Sequence, residues 1–225
     1  MLDQEFEPAD EEITLGGTTA LVFQPRQMFE ENEMRGVVLF TDIFGNKNED
    51  NQRVSRFLAN EGFLTIVPDL FRKNYWNPGD DMTGLNEWRK THPRDRVLQD
   101  VQAAAAYLRG GGGGGGGCSR VGAVGFCWGG ELALHCSTHE NIFDTVIGFY
   151  PTQMNPEEGA GVKIPALFVF GQQDTHIPMN QVEALSAAAR CCPRALAIRV
   201  YAQCAHGFAH REAAAAAAEE EKEGG

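Results

Sequence analysis

Short apolar runs alternate with helical patterns along most of the chain. Several runs are almost continuously apolar, which is typical of strands buried on both faces of a parallel sheet. Their alternation with helices predicts an α/β fold, a mostly parallel sheet with helices on both faces. The predicted strands are Thr19–Phe23, Val37–Thr41, Phe63–Val67, Val121–Phe126, Thr145–Tyr150, Ala166–Phe170 and Leu196–Tyr201.

Three helices are predicted between these strands, in addition to one over Glu131–His139. One ends at Gly62, a residue type that often terminates helices, and two others open at Pro93 and Pro178, where a first-turn proline is tolerated. In the first helix the side chains predicted to share one face are Val54, Phe57, Leu58 and Glu61. In the second, the predicted buried stripe is Val97, Val101, Ala104, Ala105 and Leu108. In the third, the residues predicted to face inward are Val182, Leu185 and Ala189.

Two low-complexity segments interrupt this organisation. The glycines of 110–117 lack the Lys-Ser/Thr pair of a phosphate-binding loop, so they predict a flexible connector. Residues 213–225 are rich in Ala and Glu and have no large apolar face, so they predict a disordered tail or a frayed helix. The remaining residues, 1–212, are predicted to form a single α/β domain, an ordinary size for that class.

The net charge of −12 is concentrated at the ends of the chain. Residues 1–12 contribute −6 and residues 213–225 contribute −3, so the body carries only −3. No basic stripe is present, which disfavours a nucleic-acid partner. No run of about 18 apolar residues is present, which disfavours a membrane partner. The acidic first residues lack the pattern of a secretory signal, so a cytoplasmic location is expected.

The six cysteines show neither Cys-x-x-Cys nor the Cys/His spacing of a zinc site. In a reducing compartment they are expected to be free thiols, and Cys136 is expected in the core. His135 and His139 stand four residues apart on a predicted helix, but Cys136 follows His135 where zinc proteases have Glu. No metal and no cofactor are therefore predicted.

The most informative motif is Gly-x-Cys-x-Gly at Gly125, Cys127 and Gly129, between a predicted strand and a predicted helix. In the related Gly-x-Ser-x-Gly elbow, small residues allow a sharp turn that lifts the nucleophile above the sheet. Cysteine suits this position because a helix N-terminus stabilises the reactive thiolate. Cys127 is therefore the candidate nucleophile. The alternative is a buried cysteine in a tight turn.

Two partners follow this cysteine in the order nucleophile, acid, base. Asp174 and His206 each come just after a predicted strand, where the loops of a parallel sheet meet at one edge. His206 is expected to take the thiol proton, and Asp174 to orient and stabilise the imidazolium. The backbone N–H of Trp128, the next residue after the nucleophile, is expected to stabilise an oxyanion. His176 is expected to be exposed and to bond locally.

These motifs resemble the dienelactone hydrolase (carboxymethylenebutenolidase) family. The resemblance covers roughly residues 13–211 and implies the α/β-hydrolase fold, with Cys127 as nucleophile, Asp174 as acid and His206 as base. The segments that carry it are Gly125-Phe-Cys-Trp-Gly-Gly130, Gly171-Gln-Gln-Asp-Thr-His-Ile-Pro178, Ala205-His-Gly-Phe-Ala-His-Arg211, Thr41-Asp-Ile-Phe-Gly45 and Val67-Pro-Asp-Leu-Phe71.

The resemblance also implies roles for residues outside the proposed triad. The N–H of Ile43 would be a second oxyanion donor, and the carboxylate of Asp42 would contact the resting thiol and gate its ionisation. Many members have Glu where this chain has the shorter Asp42.

Bacterial members bind a substrate carboxylate with two arginines, one of them four residues after the catalytic His. Here His210 holds that position and Arg211 follows it, so Arg211 is a candidate substrate contact. Trp88 is a second candidate for a different reason: it flanks the predicted loop Pro78–Asp81, where an aromatic side chain is expected either to line an acyl pocket or to pack within the loop.

The predicted function is cysteine-dependent hydrolysis of ester or lactone bonds in a small-molecule substrate, through a thioester acyl-enzyme. Two alternatives belong to other classes. One is a thiol redox protein in which Cys127 is oxidised to a sulfenic acid. The other is a non-catalytic binding protein that retains the fold, since a fold alone does not define an activity.

Overall fold

The computed structural model describes residues 7–27, 33–110, 117–191 and 195–211. The predicted tail, 213–225, and most of the predicted glycine connector lie outside the described residues. All seven predicted strands are present within two residues of their predicted bounds, and the α/β class is confirmed. The strands are β1 (Glu11–Leu15), β2 (Thr18–Phe23), β3 (Arg35–Phe40), β4 (Phe63–Pro68), β5 (Arg120–Phe126), β6 (Thr145–Phe149), β7 (Ala166–Gly171) and β8 (Leu196–Tyr201).

The described α-helices number five, and the four predicted helices are among them. Short 3₁₀ turns at Met82–Gly84, Pro156–Gly161 and Ala189–Cys191 complete the regular structure. Within the described residues, no helix combines the length and the apolar character needed to cross a membrane. The α-helices are α1 (Glu49–Asn60), α2 (Leu85–Lys90), α3 (Arg94–Arg109), α4 (Trp128–Ser137) and α5 (Met179–Ala188).

The chain divides into two compact units, with the boundary between residues 122 and 123. The prediction of a single domain over 1–212 stays a prediction. In the first unit the strand order is β1-β2-β4-β3, and β3 runs parallel to β4, with Val37 opposite Thr65. The sequence reading missed β1, which pairs with β2 in a hairpin around Gly16, where φ is +54°. Its run Glu-Glu-Ile-Thr-Leu is too polar to give a strand signal.

The face of α1 predicted from Val54, Phe57 and Leu58 is not the face that the helix buries. Phe57 is 40% exposed, and the helix instead buries a polar face. That face is stabilised by hydrogen bonds: Asn51 donates to the Gly45 carbonyl at 3.0 Å, and the Arg56 guanidinium donates to Asp10 at 3.0 Å. Hydrophobic periodicity cannot detect a buried face made of polar side chains that form hydrogen bonds. The buried residues of α1 are Asn51, Gln52, Ser55, Arg56 and Ala59.

In the second unit β6, β7 and β8 are parallel neighbours, and Ala166 of β7 pairs with both Val146 of β6 and Leu196 of β8. Every residue of α4 except His135 is buried. The predicted inward residues of α5, Val182 and Leu185, are buried as expected. Cys127 follows the carboxyl end of β5, and the carboxyl ends of β7 and β8 lead into the loops that contain Asp174 and His206.

Candidate active site

Cys127 lies at the junction of β5 and α4 and is the N-cap residue of that helix. Its φ of 56° and ψ of −111° place it in a region where non-glycine residues are strained and cluster at functional sites. Its N–H donates to the Phe149 carbonyl at 3.0 Å, and its carbonyl accepts from the N–H groups of Gly130 at 3.1 Å and Thr152 at 3.2 Å. The predicted sharp turn between strand and helix is present, and only 6% of Cys127 is exposed.

Two glycines permit this turn, because a side chain at either position would collide with backbone. A Cβ at Gly125 would lie 2.0 Å from the Gly129 carbonyl oxygen, and one at Gly130 would lie 2.6 Å from the Phe149 carbonyl oxygen. Backbone atoms in a packed turn cannot move aside to relieve such a clash, whereas the end of a flexible side chain can. The steric requirement therefore extends beyond the Gly-x-Cys-x-Gly pattern to Gly130.

Asp174 and His206 meet through a close approach of the loops after β7 and β8. A Cβ at Gly171 would lie 2.1 Å from the Cys204 carbonyl oxygen, so only glycine allows this approach. Gln173 N–H then donates to the same carbonyl at 3.0 Å. His206 Nδ1 lies 2.7 Å from Asp174 Oδ2, and the Asp174 side chain is 1% exposed. The structure therefore brings these two predicted residues together.

The pKa of His206 reflects opposing effects. Burial lowers it, but the hydrogen bonds to Asp174 and to Cys127, with the attraction of both groups for the imidazolium, raise it to about 9. Because His206 Nδ1 is hydrogen-bonded to Asp174, Nε2 is the ring nitrogen that remains for the Cys127 thiol. The arrangement favours the protonated form of His206, with Asp174 on one side of the ring and Cys127 on the other.

Two residues beside the site were not predicted from the sequence. Thr152 Oγ1 lies 3.7 Å from Cys127 Sγ. The ring of Tyr150, which is fully buried, contacts that of His206 with centroids 4.9 Å apart, and its hydroxyl lies 2.6 Å from His210 Nδ1. Tyr150 and Thr152 follow the carboxyl end of β6, so the rule that such ends gather site residues could have identified them.

His176 is exposed, as predicted, and its N–H donates to Asp174 Oδ1 at 2.8 Å. Its ring faces that of His206 with centroids 4.7 Å apart. Burial, together with the positive charge of His206, lowers the pKa of His176. Arg211 is half-buried on the same loop as His206, and its N–H donates to the Gly207 carbonyl at 3.0 Å. A substrate contact by Arg211 stays a prediction.

The candidate residues of the first unit occupy a well-defined loop after β3. Asp42 is buried, and its Oδ1 accepts from Phe44 N–H at 3.1 Å and from Asn51 Nδ2 at 3.0 Å. Ile43 is buried beside it and its carbonyl accepts from Trp76 N–H at 3.0 Å. Asp42 is thus held by partners in its own unit. The thiol-gating role of Asp42 and the oxyanion role of Ile43 stay predictions.

Trp88 is buried in an aromatic cluster of the first unit. Its ring centroid lies 5.0 Å from that of Phe71 and 4.6 Å from that of His92. Its indole N–H donates to the Asn74 carbonyl at 2.8 Å. These contacts give Trp88 a packing role, which was the alternative to a substrate contact, and the substrate role is untested.

Among the described residues, one group of side chains has donor atoms close enough to hold a metal ion: Asp174, His176 and His206, whose ligand atoms all lie within 4.8 Å of one another. The His135 and His139 pair considered from the sequence is arranged differently. His135 Nδ1 lies 2.9 Å from Glu158 Oε1, and His139 Nδ1 lies 3.1 Å from the His135 carbonyl oxygen.

Parallel strands alternating with helices, and a cysteine elbow between a strand and a helix, define an α/β-hydrolase-type protein. The sequence profile of the Dienelactone hydrolase family matches residues 18–224, so the chain belongs to that family. Its amino-acid sequence is also similar to the sequences of individual proteins, as follows from the pairwise identities.

The chain is 28% identical to the carboxymethylenebutenolidase homolog of Homo sapiens over 180 residues, which cover 79% of this chain and 72% of that protein. It is 26% identical to the homolog of Xenopus tropicalis over 210 residues, 92% of this chain and 82% of that protein. A crystal structure of a candidate dienelactone hydrolase from Klebsiella pneumoniae has a TM-score of 0.75 at 23% identity, and covers 91% of this chain and 90% of that one. The similarity to this crystal structure shows that the two chains share a fold.

Proposed function

We propose that this member of the family hydrolyses carboxylic ester or lactone bonds with Cys127 as nucleophile, through a thioester acyl-enzyme. The observation that supports this most directly is the position of His206, hydrogen-bonded to Asp174 on one side and to Cys127 on the other. A cysteine at a helix N-terminus with an imidazolium partner is the environment in which a thiolate is stabilised.

Acylation begins when the Cys127 thiolate attacks the carbonyl carbon, and the π electrons of the C=O bond move onto oxygen. We propose that the N–H group of Trp128 donates to this oxyanion. Trp128 is the first residue of α4, and a helix N-terminus stabilises negative charge. The C–O bond then breaks, and the alkoxide leaves with the proton of the His206 imidazolium.

Deacylation uses the same groups in reverse. His206, now neutral, takes a proton from water, whose oxygen attacks the thioester carbon. The C–S bond breaks and the sulfur leaves as a thiolate beside the imidazolium. Asp174 holds the imidazole ring through Nδ1 in both steps. In sum, an ester and water give a carboxylic acid and an alcohol, without a change in oxidation state.

One residue of the second unit is proposed to contact the substrate. We propose that Arg211, on the loop that bears His206, contacts the acyl or leaving group. No charged substrate group is assigned, because the position four residues after His206 is occupied by His210, which is buried against Tyr150.

The decisive experiment compares hydrolysis of aryl acetates, dienelactone and simple lactones by the unmodified protein, Cys127→Ala and Cys204→Ala. Cys204 is a half-exposed free thiol of the same unit, so its variant controls for the loss of a cysteine. We expect turnover of at least one substrate by the unmodified protein and by Cys204→Ala, and none by Cys127→Ala. Mass spectrometry of a rapidly quenched reaction should find one acyl group on the peptide that contains Cys127.

Two other outcomes would each replace the proposal. Equal inactivity of all three proteins, with rapid oxidation of Cys127 by peroxide, would support a thiol redox protein. Equal inactivity with an unreactive thiol would support a non-catalytic binding protein. Circular dichroism of each variant would show that inactivity does not arise from unfolding.

A further inference from the structure

His176 places a second imidazole beside the Asp174–His206 pair, and the proposed reaction does not use it. His176 Nδ1 lies 3.7 Å from Asp174 Oδ1, while His206 Nδ1 lies 2.7 Å from Asp174 Oδ2. The two histidines therefore lie beside different oxygens of the same carboxylate. The His176 side chain is 56% exposed, so this group of donors can be reached from solvent.

Two imidazole nitrogens and one carboxylate oxygen form a donor set suited to zinc, which commonly binds three such ligands and keeps a fourth position for water. Bonds of about 2.0–2.2 Å in a tetrahedral site separate the donor atoms by about 3.3–3.5 Å. The separations here extend from 2.7 Å to within 4.8 Å, so they bracket that value. A rotation of the exposed His176 side chain would bring its nitrogen inward without moving the buried carboxylate.

We propose that Asp174, His176 and His206 form a zinc site that inhibits the protein. Zn²⁺ would replace the proton that His206 Nδ1 shares with Asp174, and that proton would pass to solvent. With Nδ1 bound to the metal, the imidazole would lose its contact with the carboxylate and could not act as an imidazolium beside Cys127. The inhibition rests on the proposed hydrolase function, whereas the binding of zinc does not.

The other histidine pair of the second unit provides a matched control. His135 and His139 are four residues apart on and just after α4, and each Nδ1 already has a partner: Glu158 for His135, and the His135 carbonyl oxygen for His139. Their rings are 5.1 Å apart, close to the 4.7 Å between His176 and His206. A His139→Ala variant thus removes a histidine from a similar pair outside the proposed site.

Isothermal titration calorimetry with ZnCl₂ tests the site without any activity measurement. The proteins are the unmodified chain, Cys127→Ala, His176→Phe and His139→Ala. Phe at position 176 keeps an aromatic ring against His206 but has no nitrogen donor. We expect the unmodified protein, Cys127→Ala and His139→Ala to bind one zinc ion with similar affinity, and His176→Phe to bind at least about tenfold more weakly, as losing one of three ligands requires.

Hydrolysis assays then test the inhibition. Zinc should inhibit the unmodified protein and His139→Ala at the concentration at which it binds, a chelator should reverse this, and His176→Phe should need at least about tenfold more zinc, relative to its own uninhibited rate. Equal zinc affinity in His176→Phe, loss of binding in Cys127→Ala, or no binding to the unmodified protein would each overturn the site. Zinc binding that depends on His176 in a protein without hydrolase activity would refute the proposed function and leave the metal site standing.

Discussion

The hydroxyl of Thr152 lies 3.7 Å from the sulfur of Cys127, and the Thr152 N–H donates to the Cys127 carbonyl at 3.2 Å. Thr152 therefore contacts the candidate nucleophile through both its backbone and its side chain. The backbone contact helps to hold the strained φ of 56° at Cys127. The hydroxyl can donate to sulfur, and a donor stabilises the thiolate relative to the thiol. Thr152 is therefore a positioning residue for the proposed reaction.

Thr152→Val should reduce the reactivity of the thiol. Valine has nearly the same shape but no hydroxyl, so the thiolate loses one donor. We expect alkylation of Cys127 by iodoacetamide at neutral pH to slow by up to about tenfold, equivalent to about 1.4 kcal/mol. Thr152→Ser retains the hydroxyl and should retain the rate. Unchanged alkylation in Thr152→Val would assign the side chain a packing role only.

Asp174→Asn should reduce hydrolysis far more than it reduces substrate binding. An amide cannot stabilise the imidazolium and can hold the wrong tautomer, an effect that reaches about 10⁴-fold in serine proteases. We expect kcat to fall by about 10²–10⁴-fold, with a smaller change in KM, and the pKa of His206 to fall. Asp95→Asn, an exposed carboxylate in the first turn of α3, is the control. Equal kinetics for the two variants would exclude a role for Asp174.

Gly125→Ala should destabilise the protein strongly. The new methyl group would lie 2.0 Å from a backbone carbonyl oxygen, so the elbow would have to move. Overpacking of this kind costs about 1–3 kcal/mol or more. Gly161→Ala is the control, because its Cβ would meet Thr138 at an ordinary 3.6 Å. Urea unfolding should place Gly125→Ala well below the unmodified protein and Gly161→Ala close to it. Similar midpoints for both variants would contradict the geometry of the elbow.

The raised pKa of His206 predicts a loss of stability at alkaline pH. A histidine with a folded pKa of about 9 and an ordinary value of 6.5 binds its proton more tightly when folded. The stability that it adds, up to about 3 kcal/mol, is complete below pH 6.5 and is lost as the pH rises toward 9. Urea unfolding of the unmodified protein and His206→Gln at several pH values should show a difference that shrinks across this interval. A constant difference would contradict the raised pKa.

The lowered pKa of His92, in the first unit, predicts the opposite pH dependence, a loss of stability at acid pH. Burial, aided by the nearby charge of Arg96, lowers the pKa of His92 to about 4. The unfolded chain therefore binds this proton first, so the stability is complete above pH 6.5 and is lost as the pH falls toward 4. His92→Phe can keep the ring contacts with Phe71 and Trp88 and should lose less stability between pH 7 and pH 4.5. Equal losses in both proteins would show that other groups control the acid transition.

The sequence predicted those features whose causes are local. Apolar runs identified seven strands, because burial on both faces of a strand requires apolar residues at successive positions. It missed β1, which is held by pairing with β2 rather than by apolar burial of its own. It predicted α1 but did not identify its buried face, because a hydrogen-bonded polar face such as that of Asn51 and Arg56 leaves no hydrophobic periodicity. The candidate residues Cys127, Asp174 and His206 were found because each follows a strand signal.

The sequence by itself therefore determined the α/β class, the elbow at Cys127 and the residue types of the proposed chemistry. Only the tertiary structure decided that His206 lies 2.7 Å from Asp174, that Tyr150 and Thr152 border the site, and that His176 shares the carboxylate of Asp174. These contacts join residues far apart in the chain, and their distances depend on how close the loops approach. A single glycine, Gly171, allows the loops after β7 and β8 to meet, and no pattern of residue types states such a distance.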